Sequence, residues 1–464
     1  MATRATGIGR LGWIVLAVVV LGGLIGVGAG LLTLLLYGIE HAMLGYVEDL
    51  SVPGPFAVPA LRRAVSVTAG LSVAGVIWWL LRTRTAKVPS VKQAVHGARM
   101  PIWQTIVHVV LQIAIVGSGA SIGREVAPRE LGAMLAQRFC DLLRIDGERG
   151  VDRRLVVAVA AGAGLGGGGK RGGAGLGGVY NAPLAGMFFA VEILLADATI
   201  ETVAFALGTS SVAAFVATSI KGHHAFYGIG AMQAEHTPSL MLFAALGGIL
   251  FGVAGALFRR GSQWAESHKP TGRAILWMMP LAGLLTGLVA LAVPQVMGNG
   301  RAAAQLGFST AAPHGSGSSP WTLLDIGGHT HAGVLALVLL ASFAAKAAVT
   351  LLTIRSGASG GVLQPGIALG STLGATLGLA WVIAFPADSV TSCALIGAAA
   401  LLSASQQAPL MAMCLVMELT EAPIGFFVPV GVAVAVSSLV SGRLLAWIGA
   451  REALGAKRSA THNK

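Results

Sequence analysis

Long apolar stretches alternate along the chain with short polar or glycine-rich interruptions. The apolar segments occupy about residues 11–48, 64–81, 102–116, 155–165 and 203–220, then about 238–258, 274–293, 332–353, 363–385, 391–403, 408–419 and 425–447. The longer segments have the length that a helix needs to cross a bilayer, and several others are too short. The pattern predicts an all-α polytopic membrane protein in which some helices span the membrane only in part.

Composition supports a membrane protein and excludes an ordinary soluble domain. The 464 residues are 55% hydrophobic and only 11% charged, and the 65 glycines suit helices that approach one another closely. The net charge of +12 is spread over short loops and ends, so nucleic acid is not the expected partner. We expect the lipid bilayer as a partner.

Nothing in the sequence indicates a metal centre, a cofactor or an enzyme. The three cysteines are isolated in or beside apolar segments. The histidines of the loop 311–331 repeat no ligand spacing, so we expect an ordinary exposed loop.

One interruption places charge where a membrane chain should be apolar. Residues 117–132 follow an apolar run and contain several glycines, two arginines, two glutamates and Pro128. Ionisable residues at membrane depth indicate function. The stretch around Glu125 also has the features of a helix start, whose free N–H groups favour an anion.

Two stretches of the first half recur in the second. Residues 181–193 match 407–419 at an offset of 226 positions, and residues 123–128 match 360–365 more loosely at an offset of 237. Interrupted helices at matching places in two halves indicate an inverted-repeat transporter with its site near the midplane.

A six-residue element at 162–167 also recurs at 173–178. We interpret 162–178 as a local duplication around Lys170 and Arg171; simple low complexity is the alternative.

These observations predict how the chain is divided. We expect residues 1–10 to be a cytoplasmic N-terminus, 11–220 the first membrane half, 237–450 the second, and 451–464 a short basic cytoplasmic tail. The basic character of both ends places them on the cytoplasmic side of a cell membrane, the inner or plasma membrane.

The motifs together resemble the CLC family of voltage-gated chloride channels and chloride–proton exchangers. The resemblance rests on Gly-Arg-Glu at 123–125, Asn-Ala-Pro-Leu-Ala-Gly at 181–186, Gly-Val-Leu-Gln-Pro at 361–365 and the helix 409–420, and it covers roughly residues 11–450. It implies an inverted repeat of tilted, often partial helices, a homodimer, and a bacterial-type member without soluble regulatory domains.

The resemblance also implies site residues. Glu125 falls on the family's gating glutamate. The anion-binding helix starts map onto Ala86, Lys87, Val88, Pro89, Gly123, Arg124, Val126, Gly361, Val362 and Leu363. We place Val88, residues 124–126 and residues 362–363 at helix N-termini, where the backbone matters more than the side chains.

The chain departs from the family pattern at four places. Ala86 stands where the family has an anion-coordinating serine, Leu363 replaces the pore phenylalanine, and no tyrosine follows Tyr227. Of the exchangers' paired glutamates, Glu192 remains as a weak candidate for the proton pathway and Ile193 cannot carry a proton. We therefore expect passive anion conduction. A chloride–proton or fluoride–proton antiporter and a non-conducting membrane protein remain the alternatives.

Overall fold

The computed structural model describes residues 7–144, 152–166, 182–221, 226–230, 232, 237–310 and 332–462. Within them the chain forms sixteen helices, and eight are long and apolar enough to cross a membrane. The helices of the first half are α1 (Gly7–Leu44), α2 (Ala60–Arg84), α3 (Val91–Val95), α4 (Ile102–Gly117), α5 (Val126–Leu142), α6 (Arg153–Gly166), α7 (Pro183–Phe188, continued as a π-helix over Phe189–Leu195) and α8 (Ile200–Lys221). Those of the second half are α9 (Pro238–Ser267), α10 (Ile275–Ala292), α11 (Arg301–Phe308), α12 (Ala332–Arg355), α13 (Leu363–Ala384), α14 (Val390–Gln406), α15 (Pro409–Thr420) and α16 (Phe427–His462).

The packing of the second eight helices repeats that of the first eight. Helix α1 packs on α8 as α9 packs on α16, and α5 packs on α6 as α13 packs on α14. The pairs α4–α5 and α12–α13 correspond in the same way, as do α6–α7 and α14–α15. The two sets touch through α2 with α10 and α7 with α15. The fold is therefore an all-α inverted repeat of spanning and partial helices, as the motif spacing predicted.

Small residues allow the partial helices to pack closely at equivalent places in both halves. A Cβ on Gly132 of α5 would overlap the carbonyl of Ala160, and a Cβ on Gly370 of α13 would overlap the carbonyl of Gly397. Both glycines thus bring a helix against a neighbouring backbone, in the way that small residues serve helix contacts in membranes. The close packing fixes the position of α5 against α6 and of α13 against α14.

Three elements differ from the sequence-based expectation. Helix α16 continues to His462, so most of the expected tail after Arg451 is helical. Helix α3 begins at Val91 with Ser90 as its N-cap, so Val88 precedes the helix instead of lying at its start. Helix α11 was not expected, because its first turn follows a left-handed Gly300 in a stretch too short for a periodic pattern. Most of the predicted duplication, including Lys170 and Arg171, and the loop 311–331 lie outside the described residues.

Candidate anion-binding site

Two broken helices meet through their first residues. The N–H of Gly123 donates to the carbonyl of Gly361 and the N–H of Gly361 donates to the carbonyl of Gly123, both at 2.8 Å. These two bonds hold the segments before α5 and α13 side by side. The N-termini of two helices from opposite halves, each with a partial positive charge, therefore come together inside the protein.

The carboxylate of Glu125 lies on the N-terminus of the helix from the other half. Its Oε1 accepts a hydrogen bond of 2.6 Å from the N–H of Leu363, the first residue of α13. The whole side chain is buried, and Oε2 has no hydrogen-bond partner. A Cβ on Gly361 or on Gly123 would overlap this carboxylate, so the two glycines provide its space. The negative group thus lies at the positive end of a helix, where a negative charge is favoured.

Buried cations surround this meeting point. Arg124 is almost fully buried, with its guanidinium 5.6 Å from the centre of the Phe226 ring. Lys346 of α12 is buried too, and its Nζ donates to the carbonyls of Val296 and Gly298, both at 2.8 Å. Lys346 also interacts electrostatically with Glu125. These charges favour an anion over a cation at the site.

Sequence reasoning missed some of these residues, although a signal was present. A lysine within an apolar segment, as at Lys346, is costly at membrane depth and indicates function. The buried ion pair of Arg301 with Glu48, at 3.2 Å between Nη1 and Oε1, joins α11 to the segment after α1. Sequence could not show that pairing, because its partners lie far apart in the chain. Nor could it show that Tyr227 donates to Oε1 of Gln364 on α13.

The segment 86–89 is placed differently from the other two. Ala86 and Lys87 are exposed, and Val88 and Pro89 are half-buried between the end of α2 and Ser90. Val88 packs against the same hydrophobic core as Val362. The structure therefore brings residues 123–126 and 361–363 into direct contact, while 86–89 lies at a more exposed place.

Two further glutamates bind helix starts across the two halves. The carboxylate of Glu192 accepts from the N–H groups of Leu410 and Met411 at 3.0 and 2.8 Å, at the start of α15. Glu418 accepts from the N–H groups of Leu184 and Ala185, both at 2.9 Å, at the start of α7. Each glutamate thus satisfies free N–H groups of the other half's helix.

The fold and the paired helix starts are those of an inverted-repeat membrane transporter. A profile of the voltage-gated chloride channel family matches residues 69–168 and 172–442. Since the match covers most of the sequence, the chain belongs to the voltage-gated chloride channel, or CLC, family. Membership supports anion transport as the function.

Solved structures show the same fold at low sequence identity. A slow cyanobacterial Cl⁻/H⁺ antiporter is 23% identical with a TM-score of 0.70, over 92% of this chain and 95% of the other. A CLC-type fluoride/proton antiporter is 18% identical with a TM-score of 0.62, over 94% and 97%. A eukaryotic CLC transporter is 18% identical with a TM-score of 0.64, over 92% and 72%.

Proposed function

We propose that the protein carries chloride or a similar small anion across the membrane along a path that Glu125 closes. One observation carries the proposal: the buried carboxylate of Glu125 accepts the N–H of Leu363 at the start of α13. A free anion would need the same donor and the same positive end of the helix. The tethered carboxylate and the free anion therefore compete for one place.

The proposed path is lined by the helix starts that the family resemblance indicated. Gly123, Arg124 and Val126 lie at the start of α5, and Gly361, Val362 and Leu363 at the start of α13. Ala86, Lys87, Val88 and Pro89 form the proposed third, more exposed part. Because backbone N–H groups supply the binding, Leu363 in place of phenylalanine removes no donor.

Passive conduction remains our first candidate for the mode of transport. Ile193 cannot hold a proton, and both oxygens of Glu192 are bound to the start of α15. We propose that Glu192 acts as a cap of that helix and not as a proton carrier. Proton-coupled exchange is the second candidate, favoured because two of the similar structures are proton antiporters.

The experiment that tests the gate is anion flux against pH for the wild type and Glu125→Gln in the same liposomes. Acid should open the wild type by protonating the carboxyl group, so flux should rise as the pH falls. Glu125→Gln should be open at every pH, since glutamine has the same size and no charge. A hydrogen bond to a charged group is worth about 1.5–3 kcal/mol. We therefore expect roughly a tenfold gain or more in flux at neutral pH.

The controls separate the alternatives. A pH probe inside the same liposomes records whether protons move with the anion, which distinguishes exchange from passive conduction. Parallel pH curves for the two proteins would exclude Glu125 as the gate. Absence of flux in both would support the non-conducting alternative.

We also propose that the protein is a homodimer in the cell membrane with one path per subunit and both termini cytoplasmic. The family resemblance supports this assembly, and α7 and α15 carry the partly exposed apolar residues Leu184 and Leu410. Crosslinking in detergent should give dimers, and cysteines at Thr6 and Ser459 should resist labelling from outside cells. A protein that stays monomeric would contradict the homodimer. Labelling at either position would contradict the cytoplasmic termini.

A further inference from the structure

A histidine and a glutamate are buried together between α4 and α5, away from the contacts of Glu125. Nδ1 of His108 lies 2.7 Å from Oε2 of Glu130. The side chains are only 12% and 7% exposed. Nε2 of Gln112, which is fully buried, lies 2.8 Å from the same carboxylate oxygen. Neither His108 nor Glu130 has a part in the gate described above.

The chemistry of this pair suits the binding of one proton. With neutral imidazole and a carboxylate, the pair carries one negative charge in an apolar region, which is costly. Uptake of one proton from water gives either imidazolium with carboxylate or imidazole with carboxylic acid. Both forms are neutral overall, so proton uptake removes the unfavourable charge, and release returns the same proton to an acceptor.

Gln112 adds an independent indication that the pair changes state. Its Nε2 faces both Oε2 of Glu130 and Nδ1 of His108, while its Oε1 is buried without a hydrogen-bond partner. An amide offers a donor on one side and an acceptor on the other. A rotated amide would accept from the pair when it holds an additional proton. The orphaned oxygen therefore fits a second protonation state of the site.

Charged and aromatic side chains connect the pair with the surface that carries Arg82 and Lys269. Trp78 contacts the His108 ring edge-on at 5.8 Å between centres, and Arg82 lies 5.5 Å from the centre of the Trp78 ring. Lys269 binds Glu266 at 2.7 Å, and the Glu266 side chain is 64% exposed. Burial lowers the pKa of Lys269, whereas the carboxylates of Glu266 and Glu130 oppose that shift. Ionisable groups thus extend from water towards the pair.

Other elements that pack on α4 and α5 present their charges elsewhere. On α1, Ile39 contacts Gly117, so the ionisable residues near it, Tyr37, Glu40 and His41, lie beside the far end of α4. His108 precedes Gly117 by nine residues, about 13 Å along the axis.

On α3, Ala94 accepts a hydrogen bond from Gln137 of α5, which places Lys92 and His96 beside that part of the helix. On α6, Arg153 binds Asp141, and Arg154 donates to the carbonyl of Leu195. Helix α3 therefore approaches α5 well after Glu130. Helix α6 packs close to Glu130, with Ala160 against Gly132 and Gly164 against Pro128, but its only charged residues are Arg153 and Arg154. Arg82, Lys269 and Glu266 are thus the charges that govern the pair.

We propose that His108 and Glu130 form a proton-binding site that takes up protons from the side of Arg82 and Lys269 and passes them to Glu125. Glu130 follows Glu125 by five residues on α5, about 7.5 Å along the helix axis and roughly 140° around it, so a proton would pass between them through water and not by direct contact. The site would supply the proton acceptor that Ile193 cannot be. This inference rests on the proposed function, since it assumes that protonation of Glu125 opens the anion path.

The transport test uses full-length protein in liposomes, with the pH on each side set independently and chloride flux measured. Wild-type flux should respond to pH on the Arg82 side. Glu130→Gln should reduce that response at least threefold and keep the response to the opposite side. Glu418→Gln, the same substitution at a helix cap, is the matched control and should keep both responses. Equal responses in Glu130→Gln and wild type would overturn the proposal.

A second measurement detects the proton without relying on transport. Infrared difference spectra between neutral and acidic pH are recorded in the Glu125→Gln background, which removes the signal of the gate. A band of the protonated pair, from imidazolium or from a carboxylic acid, should appear there and be missing in Glu125→Gln/Glu130→Gln. An identical band in both would overturn the proton site even if the wild type shows no flux, whereas absent flux with the expected band contradicts only the proposed function.

Discussion

Two pairs of helix starts in this protein use the same contact in different ways. At α7 and α15 the contact is reciprocal: Glu192 binds the start of α15 and Glu418 binds the start of α7. At α5 and α13 the contact is not reciprocal: the carboxylate of Glu125 accepts from the N–H of Leu363 at the start of α13. Val362 stands at the position of the repeat that corresponds to Glu125, and valine has no carboxylate that could bind the start of α5.

The difference indicates where the repeat is structural and where it has diverged for transport. In the reciprocal pair each carboxylate uses both oxygens on two N–H groups, which leaves no reason for either to move. In the other pair one oxygen of Glu125 binds one N–H and the second has no partner. We infer that the symmetric pair holds the halves together and the asymmetric pair can exchange its carboxylate for an anion.

The largest effect should follow from removing the reciprocal pair. Hydrogen bonds from N–H groups to a charged acceptor contribute about 1.5–3 kcal/mol to stability. Counting only the two partly buried bonds, from the N–H groups of Ala185 and Met411, the double variant Glu192→Ala/Glu418→Ala should lose about 3–6 kcal/mol, seen as a lower midpoint of thermal unfolding in detergent. Glutamine at both positions keeps one acceptor each and should lose less. An unchanged midpoint for the alanine variant would show that these contacts are not structural.

A smaller effect should follow from filling the space of the Glu125 carboxylate. Gly361→Ala places a Cβ where that carboxylate lies, so the carboxylate should leave the N–H of Leu363. A free anion needs the same place, so the methyl group should also exclude the anion, and flux at acidic pH should fall by roughly tenfold, the equivalent of about 1.4 kcal/mol. Gly431→Ala on α16 is the control, because a Cβ there makes only an ordinary contact with Met413. If Gly361→Ala conducts like the wild type, the anion does not pass through the place that the carboxylate occupies.

Sequence predicted the helices well and the contacts between them poorly. Apolar segments and helix starts marked by proline, such as those at Pro183 and Pro409, placed most helices within a few residues of their observed bounds. The resemblance between 181–193 and 407–419 predicted the repeat. It could not predict that Glu192 and Glu418 exchange partners, because a helix cap formed across the two halves depends on the fold and not on local spacing.

The charged residues of the interior show the same limit. Lys346 lies within an apolar segment and Arg301 follows one, and only the fold shows that both interact with Glu48 of the first half. Val88 illustrates the opposite case. Its motif predicted a helix start, but the capping box formed by Ser90 and Gln93 moves the start of α3 three residues on.

The backbone bridge between Gly123 and Gly361 has a consequence for the speed of the proposed gate. Because backbone atoms join the two halves there, Glu125 can leave the start of α13 by rotation about its own side-chain bonds, with the helices at rest. Rotamer changes occur far faster than the microsecond-to-millisecond motions of whole helices. The arrival and departure of protons, and not a rearrangement of the fold, would then set the pace at which the path opens and closes.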